Sequence, residues 1–140
     1  MAVFNRKPKP TKLMRLDELD PMLESGKPVL LDFFQLGCAP CQVMDGIMNE
    51  LAREYGESAH IVKVDVTKVP GAAQTFAVRS TPTFVLLGRA PEKKSKKKRQ
   101  AARPGEPNAK PIGQRWRTTG LVKKDQLVRL LESNGAHRNA

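Results

Sequence analysis

Val29-Leu30-Leu31-Asp32-Phe33-Phe34-Gln35-Leu36-Gly37-Cys38-Ala39-Pro40-Cys41 is the stretch on which the reading of this chain turns. Its first six residues are apolar except for one carboxylate, the pattern of a strand buried on both faces. The only two cysteines follow three residues apart, just before a segment of helical periodicity. Residues i and i+3 in the first turn of a helix bring their α-carbons within the about 4.4–6.8 Å that a disulfide spans, so the pair can close reversibly. Unpaired N–H groups and the positive end of the helix dipole stabilise an anion at the same place, which favours a thiolate. Cys38, on the loop side, is the candidate reactive sulfur. Cys41, one turn inside, is suited to resolving a mixed disulfide by attacking the sulfur of Cys38. Pro40 falls in the first helical turn, where the missing N–H costs nothing.

Two other uses of the pair compete with this one. Half of a tetrahedral zinc site would need two more ligands, and the chain offers only His60 and His137, far from H-x3-5-H spacing. A static disulfide or two inert thiols is the other alternative; a ring of four residues removes little entropy from the unfolded chain and makes a poor staple.

With 140 residues the chain is expected to form one small domain with a core of its own. The start MAVFNRKPKP has no apolar stretch after its basic residues, and no run approaches 18 apolar residues, so neither a signal peptide nor a membrane span is expected. A reducing cytosol is the default compartment, where a C-x-x-C pair is more often catalytic than structural. The net charge of +11 is unevenly spread. Residues 1–15 hold five basic and no acidic side chains, residues 16–88 five basic against ten acidic, and residues 89–117 eleven basic against two acidic. The cysteine-bearing part is mildly acidic, and the basicity belongs to appendages.

Periodicity and breakers predict alternating elements. A short strand at Lys12–Leu16 leads to a helix over Leu16–Ser25, closed by Gly26; the strand Val29–Phe34 leads to a long helix from Pro40 to Tyr55, with Val43, Met44, Ile47, Met48, Leu51 and Tyr55 as its apolar set. Then come a strand at Ile61–Val66, a short helix around Pro70–Phe76, and a strand at Thr83–Leu87. Beyond Gly88 the composition turns to EKKSKKKRQ and small polar residues, from which no core can form. Regular structure resumes with a strand at Gln114–Thr119 and a helix at Lys123–Glu132 that places Leu127, Leu130 and Leu131 on one face. The expected organisation is a basic flexible tail over 1–11, a domain over 12–134 carrying a basic disordered insertion at 89–113, and a flexible tail over 135–140.

In this order the residues resemble the thioredoxin family: VLLDFF running into CAPC at a helix start, then VKVDV, then VRSTPTFVLL with its proline, then RTTG before a last amphipathic helix. The resemblance implies an α/β thioredoxin fold, a central mixed sheet flanked by helices. It also implies a thiol-disulfide oxidoreductase that reduces protein disulfides, with Cys38 as nucleophile and Cys41 as resolving thiol. Asp32, desolvated among leucines and phenylalanines, would have a raised pKa and exchange protons near Cys41; Lys63 corresponds to the family's lysine partner for that carboxylate. Pro82 matches the family's cis-proline, leaving the Thr81 backbone free to bond an extended substrate segment. Gly120 matches a glycine that keeps the nearby surface open. Gly37, Ala39 and Pro40 complete the surface expected to contact substrate. No bound cofactor is implied beyond the redox-active Cys38/Cys41 disulfide; regeneration would come from a thioredoxin-reductase-like flavoprotein fed by NADPH. A monomer is expected.

Four positions depart from the family pattern. Gly37 stands where thioredoxins carry tryptophan, Ala39 where they carry glycine, Gly46 where they carry a helix-kinking proline, and Thr81 where an apolar residue is usual. Such positions tune redox poise, and about 30 mV corresponds to 1.4 kcal/mol for a two-electron couple, so reductase or isomerase direction depends on them. The basic insertion has no close counterpart in an ordinary thioredoxin. It reads as a solvated loop or as a tether to nucleic acid, ribosome or anionic membrane. Lacking aromatic residues, its contact with nucleic acid would be with phosphate, non-specific and salt-dependent. A binding module with vestigial redox activity is the alternative to the enzyme.

Overall fold

The computed structural model describes residues 8–89 and 112–139. A five-stranded sheet in the order β1-β3-β2-β4-β5 forms the middle layer: β1 Thr11–Lys12, β2 Val29–Phe34, β3 His60–Asp65, β4 Thr83–Arg89 and β5 Ile112–Thr119. β3 runs parallel to both β1 and β2, whereas β4 is antiparallel to β2 and to β5, so the sheet is mixed. Among the described residues four helices cover it: α1 Leu19–Glu24, entered through a 3-10 turn at Leu16–Glu18, α2 Ala39–Tyr55, α3 Ala72–Thr75 and α4 Lys124–Ser133.

Alternation along the strands divides the core in two. Leu30, Ile61, Phe84 and Leu86 point to the face covered by α2 and α4, where they meet Met44, Met48, Leu51, Tyr55, Leu127 and Leu131. Val29, Leu31, Phe33, Val62, Val64, Val85 and Leu87 point the other way, toward Leu19, Val69 and Ala72. β2 is the central strand, so both of its faces are covered, as its near-continuous apolar run requires. On α2 the buried stripe is Cys41, Met44, Met48, Leu51, Ala52 and Tyr55. Val43 is not part of it: one position before Met44, it is turned about 100° off the stripe and is 61% exposed.

Other expectations shift at their ends. The first strand is only Thr11–Lys12, because the chain leaves the sheet after the Leu13 N–H bonds to the Lys63 carbonyl (2.9 Å) and turns into the 3-10 segment. The hairpin of β4 and β5 claims both ends of the expected insertion, pairing Gly88 with Gly113 and Arg89 with Ile112. The remainder of that insertion, 90–111, and the first seven residues of the N-terminal tail lie outside the described residues. The C-terminal tail is not free. Ser58 Oγ donates to the His137 carbonyl (2.9 Å), the His137 N–H donates back to Ser58 Oγ (2.8 Å), and Asn139 donates to the Arg53 and Glu54 carbonyls. The tail thereby satisfies carbonyls that the last turn of α2 leaves without helical partners.

Gly46 sits in the interior of α2 with open space where a Cβ would be. Gly46→Ala is expected to stabilise the fold by about 0.5–1 kcal/mol, read as a higher midpoint of denaturant unfolding. An unchanged or lowered midpoint would show that α2 needs flexibility there.

Candidate active site

The cysteine pair is built by a turn and a helix start. β2 ends at Phe34, and Gly37 takes φ +82°, a left-handed conformation that reverses the chain at little cost without a Cβ. Cys38 then caps α2 in extended conformation, its Sγ accepting the Cys41 N–H at 3.2 Å; Ala39 and Pro40 are the first two helical residues, both exposed. The two sulfurs form a disulfide with α-carbons 5.2 Å apart. Cys41 is 3% exposed and Cys38 more open, which orders the pair as an outer and an inner sulfur. Among the described residues no group of three or more His, Cys, Asp or Glu side chains could hold a metal ion.

Sheet register brings the other positions to the same end of the molecule. Phe33 in β2 pairs with Thr83 in β4, and Thr83 pairs with Thr119 in β5. The residues just before Thr83 and just after Thr119 therefore lie beside the loop that leads to Cys38. The Thr81–Pro82 peptide bond is cis. Gly120, at φ +87°, donates its N–H to the Pro82 carbonyl at 2.8 Å, tying the β5 exit to the proline loop. Nothing lies within 4 Å of a Cβ built on Gly120, so its requirement is conformational and the space around it is open. Pro82 is buried and Thr81 half-buried. The Thr83 hydroxyl donates to the Ser80 carbonyl (2.7 Å), which holds the loop shut from below.

Asp32 is fully buried on the sheet face that α2 covers, with neither carboxylate oxygen hydrogen-bonded among the described residues. Burial pushes its pKa up from 3.8 to about 7, against the opposing field of Lys63. Lys63, offered by the resemblance as the lysine partner of Asp32, is its register partner on β3, yet its ammonium does not bond to that carboxylate. It donates instead to Asp45 Oδ1 on α2 at 2.6 Å and lies 4.7 Å from the centre of the Phe34 ring. Asp45 was not picked out from the sequence. Its one signal was its place four residues after Cys41, on the same flank of a helix.

A family model described as Thioredoxin matches residues 11–106. Thioredoxin Y1, chloroplastic, of Arabidopsis thaliana is 37% identical over 68 residues, 49% of this chain and 40% of that protein. Thioredoxin 1 of Synechococcus elongatus is 35% identical over 66 residues, 47% of this chain and 62% of that protein. The chain thus matches less than two thirds of the length of either curated relative. Among solved structures, a mutant thioredoxin from Halobacterium salinarum NRC-1 superposes with a TM-score of 0.67 at 27% identity, covering 94% of this chain and 96% of that one.

The buried carboxyl carries a stability consequence. Between about pH 4 and 7 the folded chain retains a proton on Asp32 that the unfolded chain has released, so this group's contribution to stability falls as pH rises through that window. Asp32→Asn, neutral throughout, is expected to unfold at higher denaturant than the parent at pH 8, by up to about 4 kcal/mol, with the gap closing toward pH 4. Parallel stability curves across this range would show that Asp32 is not held protonated by burial.

Proposed function

The chain belongs to the thioredoxin family, and on that premise we propose that it is a thiol-disulfide oxidoreductase that reduces disulfides in proteins. The observation that carries this reading is the Cys38–Cys41 disulfide at the N-terminus of a helix whose buried stripe packs on the sheet face of Asp32, a buried carboxyl with no hydrogen bond among the described residues. In the reduced form the Cys38 thiolate, favoured by the helix start, attacks one sulfur of a substrate disulfide. A Cys38–substrate disulfide forms and the first substrate thiolate leaves. Asp32 accepts the proton of the Cys41 thiol, and the Cys41 thiolate attacks Cys38 Sγ, expelling the second substrate thiolate. The substrate gains two electrons and the pair returns to the disulfide form. A carboxyl titrating near neutral pH suits this proton transfer in either direction.

Substrate would dock as an extended segment against the Thr81 backbone, over the surface of Gly37, Ala39, Pro40, Pro82 and Gly120. The open space at Gly120 supports this assignment. Gly37 offers no aromatic side chain there, so recognition rests on backbone and small residues. Regeneration of the dithiol calls for an external electron donor, a flavoprotein reductase drawing on NADPH, and a reducing compartment such as the cytosol suits that cycle. The excess of nine positive charges within 89–117 supports a second, separable role, a non-specific salt-sensitive contact with phosphate-bearing surfaces.

Turnover of a protein disulfide by dithiothreitol-driven exchange tests the first reading. Wild type is expected to accelerate it and Cys38→Ser to reduce the rate to background; equal rates would reject the enzyme. Deletion of residues 91–110 is expected to leave turnover within about twofold while abolishing low-salt retention on single-stranded DNA. Loss of turnover with that deletion, or retention that persists without the segment, would contradict the separation.

A further inference from the structure

Lys63 stands between two carboxyl groups and bonds only one of them. Across the β2–β3 ladder it is in register with Asp32, and in a parallel pair register partners point to the same face, the one that α2 covers. Its side chain is 16% exposed and stacked over Phe34, so the ammonium has little freedom to spread its interactions into water. The 2.6 Å bond goes to Asp45, one helical turn beyond Cys41, leaving both oxygens of Asp32 without a hydrogen bond among the described residues.

We propose that Asp45 is a positioning residue of the dithiol site: by holding the Lys63 ammonium, it keeps the buried Asp32 carboxyl free of an ion-pair partner and able to take the proton of the Cys41 thiol. The chemical consequence rests on the disulfide-exchange reading above. The arrangement of the three side chains does not. As a stabilising interaction the pair is modest, because the Asp45 side chain is 45% exposed and such pairs contribute about 0–1 kcal/mol. Its effect falls on Asp32. With Asp45 absent, the Lys63 ammonium is free to turn to its register partner Asp32, and a cation brought within about 4–6 Å of an aspartate lowers its pKa by 1–3 units. The negative charge of Asp45 also acts on Asp32 directly, in the same raising direction.

The groups that surround Asp32 are few. β3 contributes Lys63, and α2, whose buried stripe includes Cys41, contributes Asp45. β4 places Phe84 opposite Asp32 and brings no charge, and the neighbouring Thr83 hydroxyl is already bonded to the Ser80 carbonyl. Among the described residues Lys63 and Asp45 are therefore the two charges that act on the carboxyl, Lys63 against its burial and Asp45 in the same direction as it. A carboxyl tightly paired with lysine would stay ionised and be a weak base toward a thiol. One held apart from the lysine is a stronger base and, near neutral pH, can both accept and return a proton.

The test follows the Asp32 side-chain carbon by NMR across pH 4–10 in the full-length disulfide form. The parent is expected to titrate near pH 7 and Asp45→Asn about one unit or more lower, while Asp45→Glu, which keeps a carboxylate for Lys63, stays near the parent. Adding Asp45→Asn to Lys63→Met is expected to move the midpoint far less than in the parent, since the effect runs through Lys63. An unchanged midpoint in Asp45→Asn would reduce the pair to a surface salt bridge. An equal fall with and without Lys63 would also overturn the proposal, by showing that Asp45 acts through its own charge alone. The acid limb of the disulfide-reduction rate is expected to move down with the titration. A parent that reduces no disulfide would sink the proposed function and still leave the titration to decide the role of Asp45.

Discussion

A carboxyl group placed in the middle of the central strand is the constraint around which this molecule is arranged. β2 is covered by α2 and α4 on one face and by α1 and α3 on the other, so Asp32 is fully buried within the core. An isolated buried carboxylate costs several kcal/mol, and proteins relieve that cost by pairing the charge or by protonating it. Here the relief is protonation near neutral pH. The same strand runs directly into the loop that delivers Cys38, and the helix that starts there lays Cys41, Met44 and Met48 over the carboxyl's face of the sheet. Position of the dithiol and burial of the acid are thus two results of one packing arrangement.

The electrostatics around that acid are set by competition. Lys63 is close enough in register to neutralise Asp32, and its field does lower the pKa, but its hydrogen bond goes to Asp45. The helix start acts on the other side of the site, offering N–H groups where a Cys38 thiolate would form. The two influences are complementary. One favours negative charge at the outer sulfur, and the other keeps a buried proton acceptor on the sheet face that α2 covers. Gly37 and Gly120, both at positive φ, shape the open rim between them.

Much of this was legible in the residues, for identifiable reasons. The near-continuous run Val29–Phe34 requires burial on both faces, and the fold meets that requirement by placing β2 at the centre of the sheet. The C-x-x-C spacing at a helix start gave the disulfide, and the ordered motifs gave the fold. What escaped depended on rotation and register. Val43 reads as apolar, but whether it joins the core is decided by a helical phase that Met44, Met48 and Leu51 fix. Lys63 reads as a partner for Asp32 because two strands place them side by side, yet the partner it bonds is on a helix 18 residues away in sequence. The tail after Gly135 is polar and looks free in the sequence; only the unpaired carbonyls at the end of α2, brought near by folding, give it somewhere to bind.

The two cysteines are unequal in exposure, Cys38 the more open outside and Cys41 buried within, as a nucleophile and a resolving thiol would be. Alkylation of the reduced protein by iodoacetamide over pH 5–10, with each site followed by mass spectrometry, tests that assignment directly. Cys38 is expected to be modified first, with an apparent pKa below the about 8.5 of a free cysteine, and Cys41 to react far more slowly at every pH. Equal rates at the two sulfurs, or a Cys38 that titrates at or above about 8.5, would contradict it.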